Sequence, residues 1–169
     1  MFNRVERSYS PFAHCAAIYI DGAKDIYIYE NTVNENMYGI EVGAKNNHNQ
    51  NPITNIVVEN NNVVGCDIGI IVGGCELHSL VVRNTVFKNN LIKIGQTSII
   101  ITKSNGITFA GNRILNINDY FIEMKEEFTN LIKNILFEKN FFSGEAKFII
   151  YGKTMTLKEF ISKYNTNTF

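Results

Sequence analysis

The sequence predicts an all-β solenoid: a single-stranded parallel β-helix of five to six coils, closed by a short C-terminal capping helix. Three observations lead there. In 169 residues the chain has 24 Asn and 24 Ile but only 2 Pro and no Trp, a bias toward strands separated by Asn-rich turns. A short apolar pattern containing Asn recurs at solenoid spacing. A second strand with the same alternation precedes each copy, so each period carries two aligned strands and no helix.

The recurring pattern is two alternating apolar positions, then an Asn, then another apolar residue two further on. It reads Ile26-Tyr-Ile28-Tyr-Glu-Asn31-Thr-Val33, Ile56-Val-Val58-Glu-Asn-Asn61-Asn-Val63, Ile107-Thr-Phe109-Ala-Gly-Asn112-Arg-Ile114 and Ile135-Leu-Phe137-Glu-Lys-Asn140-Phe-Phe142. A fifth copy, Leu80-Val-Val82-Arg-Asn84-Thr-Val86, carries its Asn one residue early, so Asn84 or Thr85 takes the position with a local slip. The markers Asn31, Asn61, Asn84, Asn112 and Asn140 are 30, 23, 28 and 28 residues apart. The preceding strands are Ile18-Tyr-Ile20, Ile40-Glu-Val42, Ile70-Ile-Val72, Ile99-Ile-Ile101, Ile122-Glu-Met124 and Phe148-Ile-Ile150, several of them followed closely by Gly. Tight two-residue hairpin loops are missing between the strands, which favours parallel rungs.

The Asn positions follow from this shape. At an inward bend the backbone leaves the ladder, and an amide carries both donors and an acceptor for the coils above and below. Asn31, Asn61, Asn84, Asn112 and Asn140 are therefore expected as an internal structural ladder. Residues 1–15 read as an N-terminal arm, 16–151 as the coils and 152–169 as the cap. In the cap, Thr156-Leu-Lys-Glu159 fits a capping box and Leu157, Phe160, Ile161 and Tyr164 share a helical face.

The stretch from Ile18 through Asn31 to Val33, followed by Tyr38-Gly-Ile40-Glu-Val42-Gly, resembles the right-handed parallel β-helix repeat proteins of the pectate-lyase-like superfamily, over about residues 16–160. The ending Tyr151 to Phe160 is similar to the closing segment of secreted polysaccharide-active members. The resemblance implies a right-handed coil and a polysaccharide-associated role: a lyase or glycoside hydrolase fragment on acidic or plant-type glycans, or, alternatively, a non-catalytic carbohydrate-binding or assembly module. It also implies a secreted or cell-surface setting for a longer parent, although the charged start of this chain is no signal peptide.

Candidate chemistry sits on the early rungs. Aligning the second strands puts Asp21 and Glu41 diagonally on one outward face, about 7–8 Å apart at the backbone, where two carboxylates can divide acid and base work or hold calcium. No cofactor is otherwise required. The long turn after Val42 adds Lys45 and His48 as a cation and a base for β-elimination. Tyr19, Tyr27, Tyr29 and Tyr38 lie on the same rungs and offer stacking surfaces for sugars.

Other chemistries lack support. Cys15, Cys66 and Cys75 read as small buried residues, and the pairs Cys75/His78 and His14/Cys15 do not repeat at structural-zinc spacing, so no metal site is assigned. Sixteen basic and sixteen acidic residues, without a basic cluster, point away from nucleic acid, and no run is long enough to span a bilayer. Outward apolar rows are expected at Val57, Val81 and Leu136 and at Ile71, Ile100 and Ile149. The N-terminal coil, with a neighbour on one side only, is expected to self-associate.

Overall fold

The computed structural model describes residues 3–11, 13, 15–43, 53–73 and 80–166, the last two by backbone alone. It is a right-handed parallel β-helix with three strands per turn. The first turn is β1 (Arg4–Glu6), β2 (Ala16–Asp21) and β3 (Lys24–Tyr29), and the second is β4 (Thr32–Asn34), β5 (Tyr38–Gly43) and β6 (Ile53–Glu59). The third is β7 (Asn62–Val64), β8 (Ile68–Val72) and β9 (Val82–Lys88), and the fourth β10 (Leu91–Ile94), β11 (Thr97–Ile101) and β12 (Ser104–Ala110). The fifth is β13 (Arg113–Asn116), β14 (Tyr120–Met124) and β15 (Ile132–Glu138), with a 3-10 segment, Glu126–Leu131, before β15. Then β16 (Phe141–Ser143), β17 (Lys147–Ile150), β18 (Lys153–Met155), helix α1 (Leu157–Tyr164) and β19 (Asn165–Thr166) close the chain.

Like strands stack into three sheets. Sheet 1 runs β1-β4-β7-β10-β13-β16, sheet 2 runs β2-β5-β8-β11-β14-β17-β18, and sheet 3 runs β3-β6-β9-β12-β15-β19. The sequence reading counted two strands per period because it joined the strands of sheets 3 and 1 into one motif across the Asn. That Asn is a corner. The residue before it adopts a left-handed conformation in every coil, at Glu30, Asn60, Asn89, Gly111 and Lys139, and turns the chain from sheet 3 into sheet 1.

The internal ladder holds with one member replaced. The side-chain amide of each Asn donates to the Oδ1 of the next: Asn31 to Asn61 at 2.9 Å, Asn61 to Asn90 at 3.0 Å, Asn90 to Asn112 at 3.0 Å and Asn112 to Asn140 at 2.9 Å. Asn3 begins the column by donating to Asn31 at 3.1 Å. Asn84 is not in it. Strand β9 pairs Thr85 with Ile107 and Phe87 with Phe109, so the third copy of the pattern is Thr85-Val-Phe87-Lys-Asn-Asn90-Leu-Ile92. The expected alignment failed because a Thr stands where the other copies have Ile. Asn84 is exposed and left-handed, at φ 46°, in a second column with Asp25, Asn55, Gly106 and Asn134 that bends each strand of sheet 3.

Two further differences concern the ends and the outer faces. The segment expected as an arm contains β1, whose Val5 pairs with Val33 of β4, so the solenoid begins before residue 16. The outward row of sheet 3 is Tyr27, Val57, Val86, Thr108 and Leu136, with Val86 rather than Val81 beside Val57. On sheet 2, Ile71 and Ile100 are buried yet stand outside the central apolar cluster, as residues whose side chains point away from it.

The core is a column of Ile and Val that becomes aromatic toward the C terminus. Phe87, Phe109 and Phe137 stack one above another, with centroids 4.8 and 5.1 Å apart. Phe160 of α1 ends the column, lying parallel to Phe148 at 4.0 Å. Gly39 and Gly69 sit where the interior narrows: a Cβ on Gly69 would fall 2.6 Å from the Ser98 carbonyl oxygen, so neither tolerates a side chain without a shift of backbone.

The cap forms as its sequence motif requires. The backbone N–H and hydroxyl of Thr156 both donate to Glu159 Oε2 at 2.8 Å, and the Glu159 N–H donates to Thr156 Oγ1 at 3.3 Å. The Thr156 backbone N–H, then its hydroxyl, hold the Glu159 carboxyl below its ordinary value. A carboxyl with a lowered folded-state pKa stabilises above its unfolded pKa and loses that contribution as pH falls through the folded value. Protection of residues 157–164, referred to each amide's intrinsic exchange rate, is therefore expected to fall as pH drops below the ordinary carboxylate range. Glu159→Gln should reproduce part of that fraying at neutral pH, while exchange in β8 and β11 stays unchanged. Equal acceleration of both regions would contradict it.

Candidate functional site

The register of sheet 2 pairs Tyr19 with Glu41 and Asp21 with Gly43, so Asp21 and Glu41 do stand diagonally on one outward face. Their surroundings differ. Asp21 is exposed at the end of β2, whereas Glu41 is 6% exposed and engaged within the chain. Lys45 and His48 lie outside the described residues, as do His14, Cys75 and His78. Farther along, Lys103 is buried with its ammonium 5.2 Å from the centre of the Phe128 ring, and burial pushes its pKa down.

The outward face of sheet 3 collects a different group. Within β3, Ile26 and Ile28 point inward, so Tyr27 and Tyr29 project outward from the first turn. Their rings stack at 4.9 Å with 17° between planes, and Tyr27 is 55% exposed. In β6, alternation brings Glu59 outward beside Tyr29, its register partner. Lys88 of β9 is the next residue in that row. The Tyr27 hydroxyl donates a short hydrogen bond to Glu59 Oε2, and Lys88 Nζ lies 3.1 Å from the same oxygen.

These contacts set the charge state of the cluster. The Tyr27 hydroxyl, and then the Lys88 ammonium, hold the Glu59 carboxyl below its ordinary range, while the same hydrogen bond raises Tyr27. Glu59 is thus a fixed carboxylate near neutral pH, an acceptor rather than a proton donor, and Tyr27 keeps its proton. The face offers an aromatic surface, an anionic acceptor and an ammonium donor. Sequence reasoning named Tyr27 and Tyr29 but missed Glu59 and Lys88. Glu59 was visible as the outward residue after Val58, but Lys88 joins it only in the true register of β9, which the Thr85 substitution concealed.

Metal ions demand particular donors. Soft and borderline metals are held by imidazole, thiolate or thioether donors, and the described thiols are Cys15 and Cys66. Cys66 is buried, its thiol pushed up in pKa by burial and directed at the Val64 carbonyl, 3.8 Å away. It is a core residue. Calcium takes about six to eight oxygen ligands, and Asp21 with Glu41 gathers no such set. Among the described residues no group of three His, Cys, Asp or Glu is placed to hold a metal ion, and the expected calcium has no support. Among them, too, no helix is long and apolar enough to cross a membrane.

Fold and face together define a parallel β-helix solenoid whose early turns carry an outward cluster of two tyrosines, a carboxylate and an ammonium. The chain belongs to the NosD family, described as periplasmic copper-binding protein, which matches residues 6–168. No curated protein and no solved structure matched the chain.

Proposed function

We propose that this chain is a non-catalytic binding module of the NosD family that takes an extended glycan on the Tyr27–Tyr29–Glu59–Lys88 face and works in the periplasm that the family description names. The observation that carries this reading is the exposed, mutually stacked tyrosine pair with a carboxylate and an ammonium fixed beside it. Sugar rings offer C–H faces that rest on aromatic rings and hydroxyls that bond both acceptors and donors. Rungs follow one another at about 4.8 Å, so an extended chain has a regularly ruled surface to lie on.

The same geometry argues against turnover. Glycosidic cleavage needs a protonated general acid beside a second carboxylate. Glu59 is held ionised by its neighbours, so the carboxyl of this face is not poised to donate a proton. Titration calorimetry against uronate-containing and neutral polysaccharides is expected to show binding without release of reducing ends or unsaturated products. Tyr27→Ala is expected to weaken binding at least about tenfold, since losing an aromatic stack together with a charged hydrogen-bond network exceeds about 1.4 kcal/mol. Glu59→Gln should weaken it less. Turnover on any of these glycans, or unchanged affinity in Tyr27→Ala, would refute the reading.

A second reading rests on the family description, which names copper. Titration with Cu(I) and Cu(II), followed by paramagnetic resonance for the latter, tests it. Stoichiometric binding that survives Cys66→Ala would show that the buried thiol is not a copper donor.

A further inference from the structure

Resting on the glycan reading above, we propose that the glycan is acidic, with a carboxylate on every second sugar, and that it lies along the solenoid axis on sheet 3, held by Lys24, Arg83 and Lys133. Ahead of the inward positions Ile26, Ile56, Thr85, Ile107 and Ile135, each strand of sheet 3 turns two consecutive residues outward, because the second of them is left-handed, at φ 46–75°. The register sets the first of each two in one row: Lys24, Thr54, Arg83, Asn105 and Lys133. A cation recurs at every second coil. Coils follow one another at about 4.8 Å, so these side chains are anchored about 9.6 Å apart and the three together span about 19 Å.

The neutral members of the row are tied down, and the cations are not. Asn84 donates its amide to Thr54 Oγ1 at 3.5 Å, and Asn134 donates to Asn105 Oδ1 at 2.8 Å, each reaching back from the left-handed position of the next coil. Asp25, the acid of that left-handed column, accepts from the Asn55 amide at 3.0 Å. Lys24, Arg83 and Lys133 are exposed and make no ion pair with a described residue. Lys88, by contrast, is committed to Glu59. Three cations facing the one carboxylate of Asp25 leave these two rows positive, with a period of two coils. A polymer complementary to such a stripe has its anions at the same interval. In an extended glycan one ring with its linkage advances by about one coil, so every second sugar meets a cation. Its carboxylate suits the guanidinium fork of Arg83, and the sugars between lie over Thr54 and Asn105, where hydroxyls find donors and acceptors. Tyr27 stands three residues beyond Lys24 on β3, so the end of the chain held at Lys24 borders the tyrosine pair.

The test is titration calorimetry of the full chain with two hexasaccharides, one alternating glucuronate with N-acetylglucosamine and one of N-acetylglucosamine alone. The first carries three carboxylates, one for each cation. It is expected to bind at least about tenfold tighter than the second, an advantage that shrinks as salt is added. Arg83→Gln, which removes the middle cation, should weaken the acidic chain about threefold to tenfold and leave the neutral one unchanged. Lys93→Gln takes the same charge from the outer face of sheet 1 and should change neither. Circular dichroism identical to the parent shows that both variants fold, as expected for exposed side chains. Equal affinity for the two hexasaccharides, with Tyr27→Ala weakening both, would overturn the acidic preference and leave the glycan reading standing; binding of neither would overturn both. Equal losses in Arg83→Gln and Lys93→Gln, or tighter binding of a single-stranded oligonucleotide than of the acidic hexasaccharide, would show attraction by net charge alone and would likewise overturn the proposal.

Discussion

Asn90→Leu is expected to destabilise the protein by about 3–6 kcal/mol, whereas Asn84→Gly changes stability by less than about 1 kcal/mol. Asn90 is 1% exposed and accepts two hydrogen bonds on Oδ1, from the backbone N–H and the side-chain amide of Asn61, at 2.9 and 3.0 Å. Its own amide donates to the Val58 carbonyl at 2.9 Å and to Asn112 at 3.0 Å. Leucine has nearly the same shape and none of these groups. It strands the Asn61 N–H, one Asn61 amide hydrogen and the Val58 carbonyl in the interior, and each buried group left unpaired costs about 1–3 kcal/mol. In a domain of this size the melting temperature should fall by about 10 °C or more. Asn84 is exposed, and glycine adopts its left-handed backbone freely. Thermal denaturation of both variants decides between the two positions, and equal losses would show that the ladder does not bear on stability in this way.

Phe160→Ala should cost about 3–5 kcal/mol and open the C-terminal end of the core. The Phe160 ring is fully buried against Phe148 at 4.0 Å, Phe137 at 5.1 Å and Phe142 at 5.8 Å, and Tyr164 of the same helix packs on it at 5.4 Å. Truncation leaves a cavity bounded by three phenylalanines at the last turn, where solvent is one layer away, so the helix detaches before the coils do. Binding of an apolar dye and loss of hydrogen-exchange protection in residues 157–164 should appear in conditions where β8 and β11 are still protected. Cooperative loss of all coils together, with no separate opening of the cap, would contradict this.

The solenoid, its parallel rungs and the sealing helix could be read from the sequence because each has a periodic or local cause. Alternating Ile and Val fix which residues point inward. The capping box is complete within four residues. Asn31, Asn61, Asn112 and Asn140 announce the corner because only an amide supplies donors and an acceptor in a dry bend. Where the code broke, at Thr85, a buried hydroxyl donating to the Arg83 carbonyl took an apolar position, and a linear reading slid to the nearest Asn, Asn84, instead of Asn90. Only stacking distinguishes them, since register is decided by the strands on either side and not by the strand itself. The tertiary structure also decided that the period holds three strands, that Arg4–Glu6 is a rung, and that Glu41 is buried while Tyr27 is not. Above all it decided which outward residues meet. Tyr27, Glu59 and Lys88 come from three successive coils, about thirty residues apart in sequence, and no local pattern records a contact that exists only when coil rests on coil.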